Sequence, residues 1–341
     1  MTTYRTTLLE QAAQLILMLG GSDKVTALLE SREGANFKFG QFDFGQLEAI
    51  LNKLIQAGVA DQGVLGQLLR DELEIQLVSA IKKFFAQNGR RIPRGLKANH
   101  TDSNRNFHLV QPNLDMVEAL ALRLVRFQEA LQPGLIMSAA DFQGKVNELL
   151  TALSADEQIA NLTSGICLPI IMPQIEKKKF DYGKVLEQTF VAAAKKAYEK
   201  EFSGRPFNNY RKDDLFGKVT IIDDSHRRLV ERLFQSHLVA LYFPNPLQGF
   251  SVHADREQME GLPTTLHLAG GFDTLSAVTM YPDVLGRDFN TPGLDMAALE
   301  WQGPGRSLHF GVGDGNAGFG DGAGLGDADA RCSGGLVFCL A

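Results

Sequence analysis

Cysteine is scarce in this chain of 341 residues: three are present, Cys167, Cys332 and Cys339. An odd number with no short paired spacing excludes a disulfide framework and a zinc-finger pattern. Long apolar runs are also missing. No stretch reaches the roughly 18 residues that a membrane helix requires. Glu10, Gln11 and Gln14 interrupt one candidate, and Pro169 and Pro173 interrupt another. The first of these interruptions also argues against a secretory leader. No internal repeat at a solenoid period occurs, and no Walker A loop. Together these absences predict a reduced, soluble, cytoplasmic protein without a membrane span.

Positive charge is in deficit, with 34 Lys and Arg against 40 Asp and Glu. The imbalance is local. Residues 1–204 hold 23 basic and 23 acidic side chains, whereas residues 205–341 hold 11 and 17, so the second half supplies the entire net charge of −6. An acidic protein, with a pI near 5.7, repels polyanions at long range. Glycine is uneven as well: twelve of the 34 glycines fall between Gly303 and Gly335. Each would cost a helix about 1 kcal/mol relative to alanine, so that segment is not helical.

The first half reads as consecutive one-sided helices. Leu47, Ile50, Leu51, Leu54 and Ile55 keep three-and-four spacing, as do Leu65, Leu68, Leu69, Leu73 and Leu77, then Val117, Leu120, Ala121 and Leu124. Ser138 to Asp141 reads as a helix start. In the second half, a helix is predicted from Asp181 to Phe202, another from Ser225 to Leu241, and short ones at Asp273–Met280 and Leu294–Leu299. Strands are predicted at Lys218–Ile222, Ser307–Val312 and Leu336–Leu340. Ile166–Pro173 is apolar but contains two prolines, so it is extended without being a central strand throughout. The expected fold is α+β and predominantly α. A helical bundle over residues 1–163 precedes a mixed α/β domain over 164–341, which ends in a small Gly-rich antiparallel sheet carrying the Gly/Asp turns of 303–335.

Three features bear on chemistry. Lys82 to Arg105 is the densest basic stretch, and Arg90, Arg91, Arg94, Lys97 and Arg105 lie beyond the helix end that would explain Lys82 and Lys83. That loop is a candidate surface for a partner or an anion. The Gly-Asp turns place Asp314, Asp321 and Asp327 on tight loops of the sort that gather hard cations. The EF-hand pattern is absent, however, and Asp-Gly is equally a preferred strand turn, so no metal is expected. His253-Ala254-Asp255 would put an acid–base pair on one face if it lay in a strand, which makes His253 and Asp255 the candidate catalytic residues.

Arg331 to Cys339 resembles, over nine residues, the Ser-Gly-Gly segment of trypsin-like serine proteases. Cys332 replaces the aspartate that precedes the serine there. No spacing singles out His253 or His309 as its base, so the segment reads as a turn entering a buried strand. Gly311-Val312-Gly313 opens no helix and fails the dinucleotide context. No cofactor is expected.

The favoured reading is a non-enzymatic binding or assembly protein that acts on a protein partner. The alternatives are a hydrolase with its site near His253 and Asp255, and an anion or nucleic-acid binder using the 82–105 loop. Nucleic acid is not the expected partner, and oligomeric state is not readable from the sequence.

Overall fold

The computed structural model describes residues 107–340, except 115–116, 157–158, 304, 314 and 328. These residues belong to one unit, Phe84–Ala341. Two helices come first. α1 (Val117–Ala130) buries Leu120, Arg123, Leu124 and Phe127, the three-and-four stripe read from the sequence. α2 (Ala139–Ala155) starts at a capping box in which the Asp141 N–H donates to the Ser138 hydroxyl and the Ser138 N–H to the Asp141 carboxylate. It buries Phe142, Val146, Leu149 and Leu153.

Neither helix ends in a helix-only core. Four strands follow that form one antiparallel sheet in the order β1-β4-β11-β5: β1 (Leu168–Met172), β4 (Leu238–Phe243), β5 (Leu266–Leu268) and β11 (Leu336–Phe338). All five residues of β1 are buried. Successive strand residues face opposite sides, so both faces of this sheet are covered. α2 packs on β4 and α6 (Gly271–Met280) on β1. All ten residues of α6 are buried, and α1 packs on α6 in turn. Pro169 is accommodated because β1 is an outer strand, where a missing N–H breaks no ladder bond. Its carbonyl accepts a 2.8 Å hydrogen bond from the Tyr281 hydroxyl.

A second sheet has five strands in the order β10-β6-β8-β9-β2: β2 (Phe207–Asn209), β6 (Gly293–Asp295), β8 (Arg306–Val312), β9 (Ala317–Gly324) and β10 (Cys332–Gly334). It is mixed, since β10 runs parallel to β6 and β2 parallel to β9. β3 (Val219–Ile221) and β7 (Leu299–Trp301) make a separate antiparallel pair. The remaining helices are α3, which runs Tyr182–Val185, Leu186–Val191 as a π turn and Ala192–Glu201, then α4 (Asp224–Leu233), α5 (Val252–Gln258) and α7 (Pro282–Leu285).

This architecture corrects the expected fold class. Residues 117–341 hold seven helices and eleven strands in three sheets, 39% helix and 21% strand, so the described region is not predominantly α. No helical bundle is shown, because α2 packs on β4, α1 packs on the sheet-covering helix α6, and residues 1–106 lie outside the described residues. The Gly-rich segment belongs to a five-stranded mixed sheet rather than a small antiparallel one. The predicted terminal strand forms β11 between β4 and β5, outside the Gly-rich sheet, and Leu340 is exposed.

Two helix readings fail for a shared reason. Ser225–Leu241 divides into α4 and β4, and Leu294–Leu299 divides between β6 and β7. A short continuous apolar run satisfies helical spacing and a buried strand equally well. No described helix is long and apolar enough to cross a membrane.

Candidate functional site

The five-stranded sheet gathers three chemically distinct side chains on one face. Asp295 of β6 stands directly opposite His309 of β8 in the antiparallel register. Cys332 of β10 pairs with Gly293 of β6, and Gly334 with Asp295. Residues two apart on a strand share a face, so Cys332, Asp295 and His309 point the same way. One ligand-competent atom from each lies within 4.8 Å of the others. His309 Nδ1 donates to Asp295 Oδ1 at 2.9 Å, which fixes the ring orientation and leaves Nε2 for another partner.

Glycine makes the convergence possible. A Cβ on Gly293 would lie 2.3 Å from His309 Cε1, and one on Gly311 would lie 2.8 Å from His309 Nε2. The imidazole therefore occupies the space of two missing side chains. At Gly334 the analogous space is taken by the Asp255 carboxylate of α5, with Oδ2 2.3 Å from the would-be Cβ. The side chains of His309 and Asp295 are 21% and 10% exposed, and Cys332 is half-buried. The site is thus held by the sheet and still reached by small solutes.

Two further polar clusters are sealed in the interior. Tyr182 accepts from the Gly271 N–H at 2.9 Å and bonds His226 Nε2 at 2.9 Å. His226 Nδ1 lies 3.7 Å from Asp273 Oδ1. Burial pushes the Asp273 carboxyl up to about 8. Burial, then the neighbouring His267 charge, push His226 down to about 3, so both stay neutral near pH 7. Asp273 accepts the Gly270 N–H and caps α6.

In the second cluster, His267 Nδ1 donates to the Ser225 carbonyl at 2.6 Å, and Nε2 is 3.3 Å from Cys339 Sγ. Arg232 Nη1 donates to the same sulfur at 3.0 Å. Burial nonetheless raises the Cys339 thiol above its ordinary value. The Cys167 thiol is pushed up to about 12 by burial alone, which suppresses its thiolate.

The residues singled out in the sequence are dispersed. His253 and Asp255 lie on α5 rather than a strand, where residues two apart diverge by about 200°. His253 is exposed and Asp255 buried. Asp321 is bound by the Arg211 and Arg306 guanidinium groups. Asp327 Oδ2 accepts the Gly324 N–H at 3.1 Å in a turn. Asp314 lies outside the described residues, as do Arg90, Arg91, Arg94, Lys97 and Arg105. Ser333 is buried, and its hydroxyl donates to the Gly334 carbonyl at 2.9 Å.

Asp295 and Cys332 escaped attention as site residues, although a signal was present. Gly293-x-Asp295, His309-x-Gly311 and Cys332-x-Gly334 each set a glycine two positions from a potential ligand, the spacing that clears one face of a strand. Comparison with protein-family models, curated proteins and solved structures found no match to this chain.

A carboxylate oxygen, an imidazole nitrogen and a thiol sulfur form a mixed donor set. Calcium and magnesium take oxygen donors almost alone. Zinc accepts all three donor types, at about 2.0–2.3 Å. The residues present therefore fit zinc and related late transition ions, with three protein ligands and one position left for water or a substrate.

Proposed function

We propose that this protein binds a zinc-class divalent ion through Asp295, His309 and Cys332. The observation that carries the reading is the convergence of three different donor atoms within 4.8 Å on a glycine-cleared sheet face. His309 and Asp295 would each supply one ligand, and Cys332 would bind as the thiolate. The ion supplies Lewis acidity and a water of lowered pKa when bound.

Metal analysis and zinc titration by calorimetry of the chelator-treated full chain test this directly. A single zinc per chain is expected, with affinity falling at least ~10-fold in His309→Ala and Cys332→Ser. Unchanged stoichiometry and affinity in both variants would remove the assignment.

A hydrolytic role is the second reading, favoured by Asp255. Its buried carboxylate rests on Gly334, the β10 partner of Asp295, and so stands beside the site as a proton acceptor. Zinc-dependent hydrolysis of an activated ester that drops in Asp255→Asn, with zinc stoichiometry unchanged, supports it. Equal rates with and without zinc reject it.

A further inference from the structure

We propose that Cys332 is an oxidation site that controls metal occupancy: a hydroperoxide converts its thiolate to a sulfenic acid, and the ion is released. The inference rests on the metal-binding reading above and adds regulation to the same site.

Accessibility selects the residue. Cys167 and Cys339 are 8% and 2% exposed, while Cys332 is half-buried. Cys339 is further enclosed between the Arg232 guanidinium and His267. A small oxidant arriving from solvent therefore meets Cys332 first.

Reaction with peroxides and metal loading both use the deprotonated sulfur, so the form of Cys332 that would ligate beside Asp295 and His309 is also the form that is oxidised.

The step balances without a further reagent. The Cys332 sulfur attacks one oxygen of the hydroperoxide, so an S–O bond forms as the O–O bond breaks. Sulfur loses two electrons and the peroxide gains them. The attacked oxygen keeps its hydrogen, so the product at Cys332 is the sulfenic acid itself, and the departing hydroxide or alkoxide is protonated by solvent. That group is a poor ligand beside the thiolate it replaces. Asp295 and His309 alone leave two protein donors, fewer than the three of an open zinc site. A thiol reductant reverses the change.

The experiment uses the zinc-loaded full chain, dilute hydrogen peroxide, a chromogenic zinc indicator, and dimedone to trap sulfenic acid for mass mapping. Zinc release that tracks dimedone on Cys332, with rebinding after dithiothreitol, is the expected result. The Cys332→His variant supplies an oxidation-resistant ligand and should hold its zinc under the same peroxide.

Three results would overturn the inference: zinc retained while Cys332 carries dimedone, zinc lost with label only on Cys167 or Cys339, or Cys332→His releasing zinc as fast as the unaltered chain. A chain holding no zinc before peroxide removes the metal reading itself, so the two failures are told apart.

Discussion

His309 lies against Gly293, close enough that a single added methyl on that glycine would sit 2.3 Å from the imidazole Cε1. The ring and the glycine are on neighbouring strands, so the sheet itself sets the position of the site's only imidazole.

Gly293→Ala should accordingly push the imidazole off its place and weaken zinc binding by at least ~10-fold, with a stability loss of about 1–3 kcal/mol from overpacking. Calorimetric titration beside thermal melting separates the two effects. Gly326→Ala, where a Cβ meets nothing within 4 Å, is the control that should alter neither. Unchanged affinity in the first variant would show that His309 moves freely or does not bind metal.

The buried pair Asp273 and His226 predicts a distinctive pH dependence. Asp273 titrates near its ordinary 3.8 in the unfolded chain and at about 8 when folded. The folded protein alone keeps that proton between these values, so its contribution is full below 3.8 and is lost as pH rises toward 8. His226 is depressed from 6.5 to about 3, so its contribution is present above 6.5 and is lost as pH falls toward 3. The two slopes, each on the order of 1.4 kcal/mol per pH unit, oppose between 3.8 and 6.5. Only the Asp273 slope acts from 6.5 to 8. Asp273→Asn should therefore show a smaller fall in melting temperature over that upper range than the unaltered chain. Identical falls would mean that Asp273 is ionised when folded.

Arg123 joins α1 to the end of α6 and to α7. Its guanidinium binds the Asp283 carboxylate through both nitrogens, one pair at 2.7 Å, and donates to the Met280 carbonyl at 3.2 Å. It also stacks 4.5 Å from the Tyr281 ring centroid. Arg126 also binds the Asp283 carboxylate at 2.7 Å, and that carboxylate is 32% exposed, so Arg123→Ala leaves Asp283 a second cation and should cost about 1–3 kcal/mol in urea unfolding, from the lost charged hydrogen bonds. Arg123→Met, which keeps the volume, should still lose the Asp283 contact. A loss below about 1 kcal/mol in the alanine variant would place this pair among the weak surface contacts.

Gly144 lies within α2, and a Cβ there meets nothing within 4 Å. Gly144→Ala should raise stability by about 0.5–1 kcal/mol through helix propensity and a less free unfolded chain. Denaturant midpoints measured at constant slope will show the gain. A destabilised variant would contradict the placement of this helix.

Local patterns were legible in the sequence where one physical cause acted alone. The Leu120–Leu124 stripe, the Ser138–Asp141 cap, the helix after Asp181 and the strand over 307–312 all follow from neighbouring residues, and all are found. Sheet membership was not legible. Leu336–Phe338 is apolar throughout, which specifies burial on both faces but not which strands lie beside it. Leu238 to Leu241, the first part of β4, looked like a helix extension because two-sided burial erases the period of two.

The site was hidden for a related reason. Asp295, His309 and Cys332 are 14 and 23 positions apart, and only strand register brings them together. His309 carried no adjacent acid in sequence, whereas His253 did, so proximity along the chain drew attention to a pair that the helix α5 turns apart.

Gly335 is the single residue between β10 and β11, and those strands belong to different sheets. A residue inserted there has no slack to absorb it. Displacing β10 by one position would rotate Cys332 away from His309, and displacing β11 would exchange Leu336 and Val337 between the faces of the core sheet. The seven-residue segment Cys332–Phe338 is therefore a poor place for an epitope tag, a split-protein junction or a circular-permutation cut.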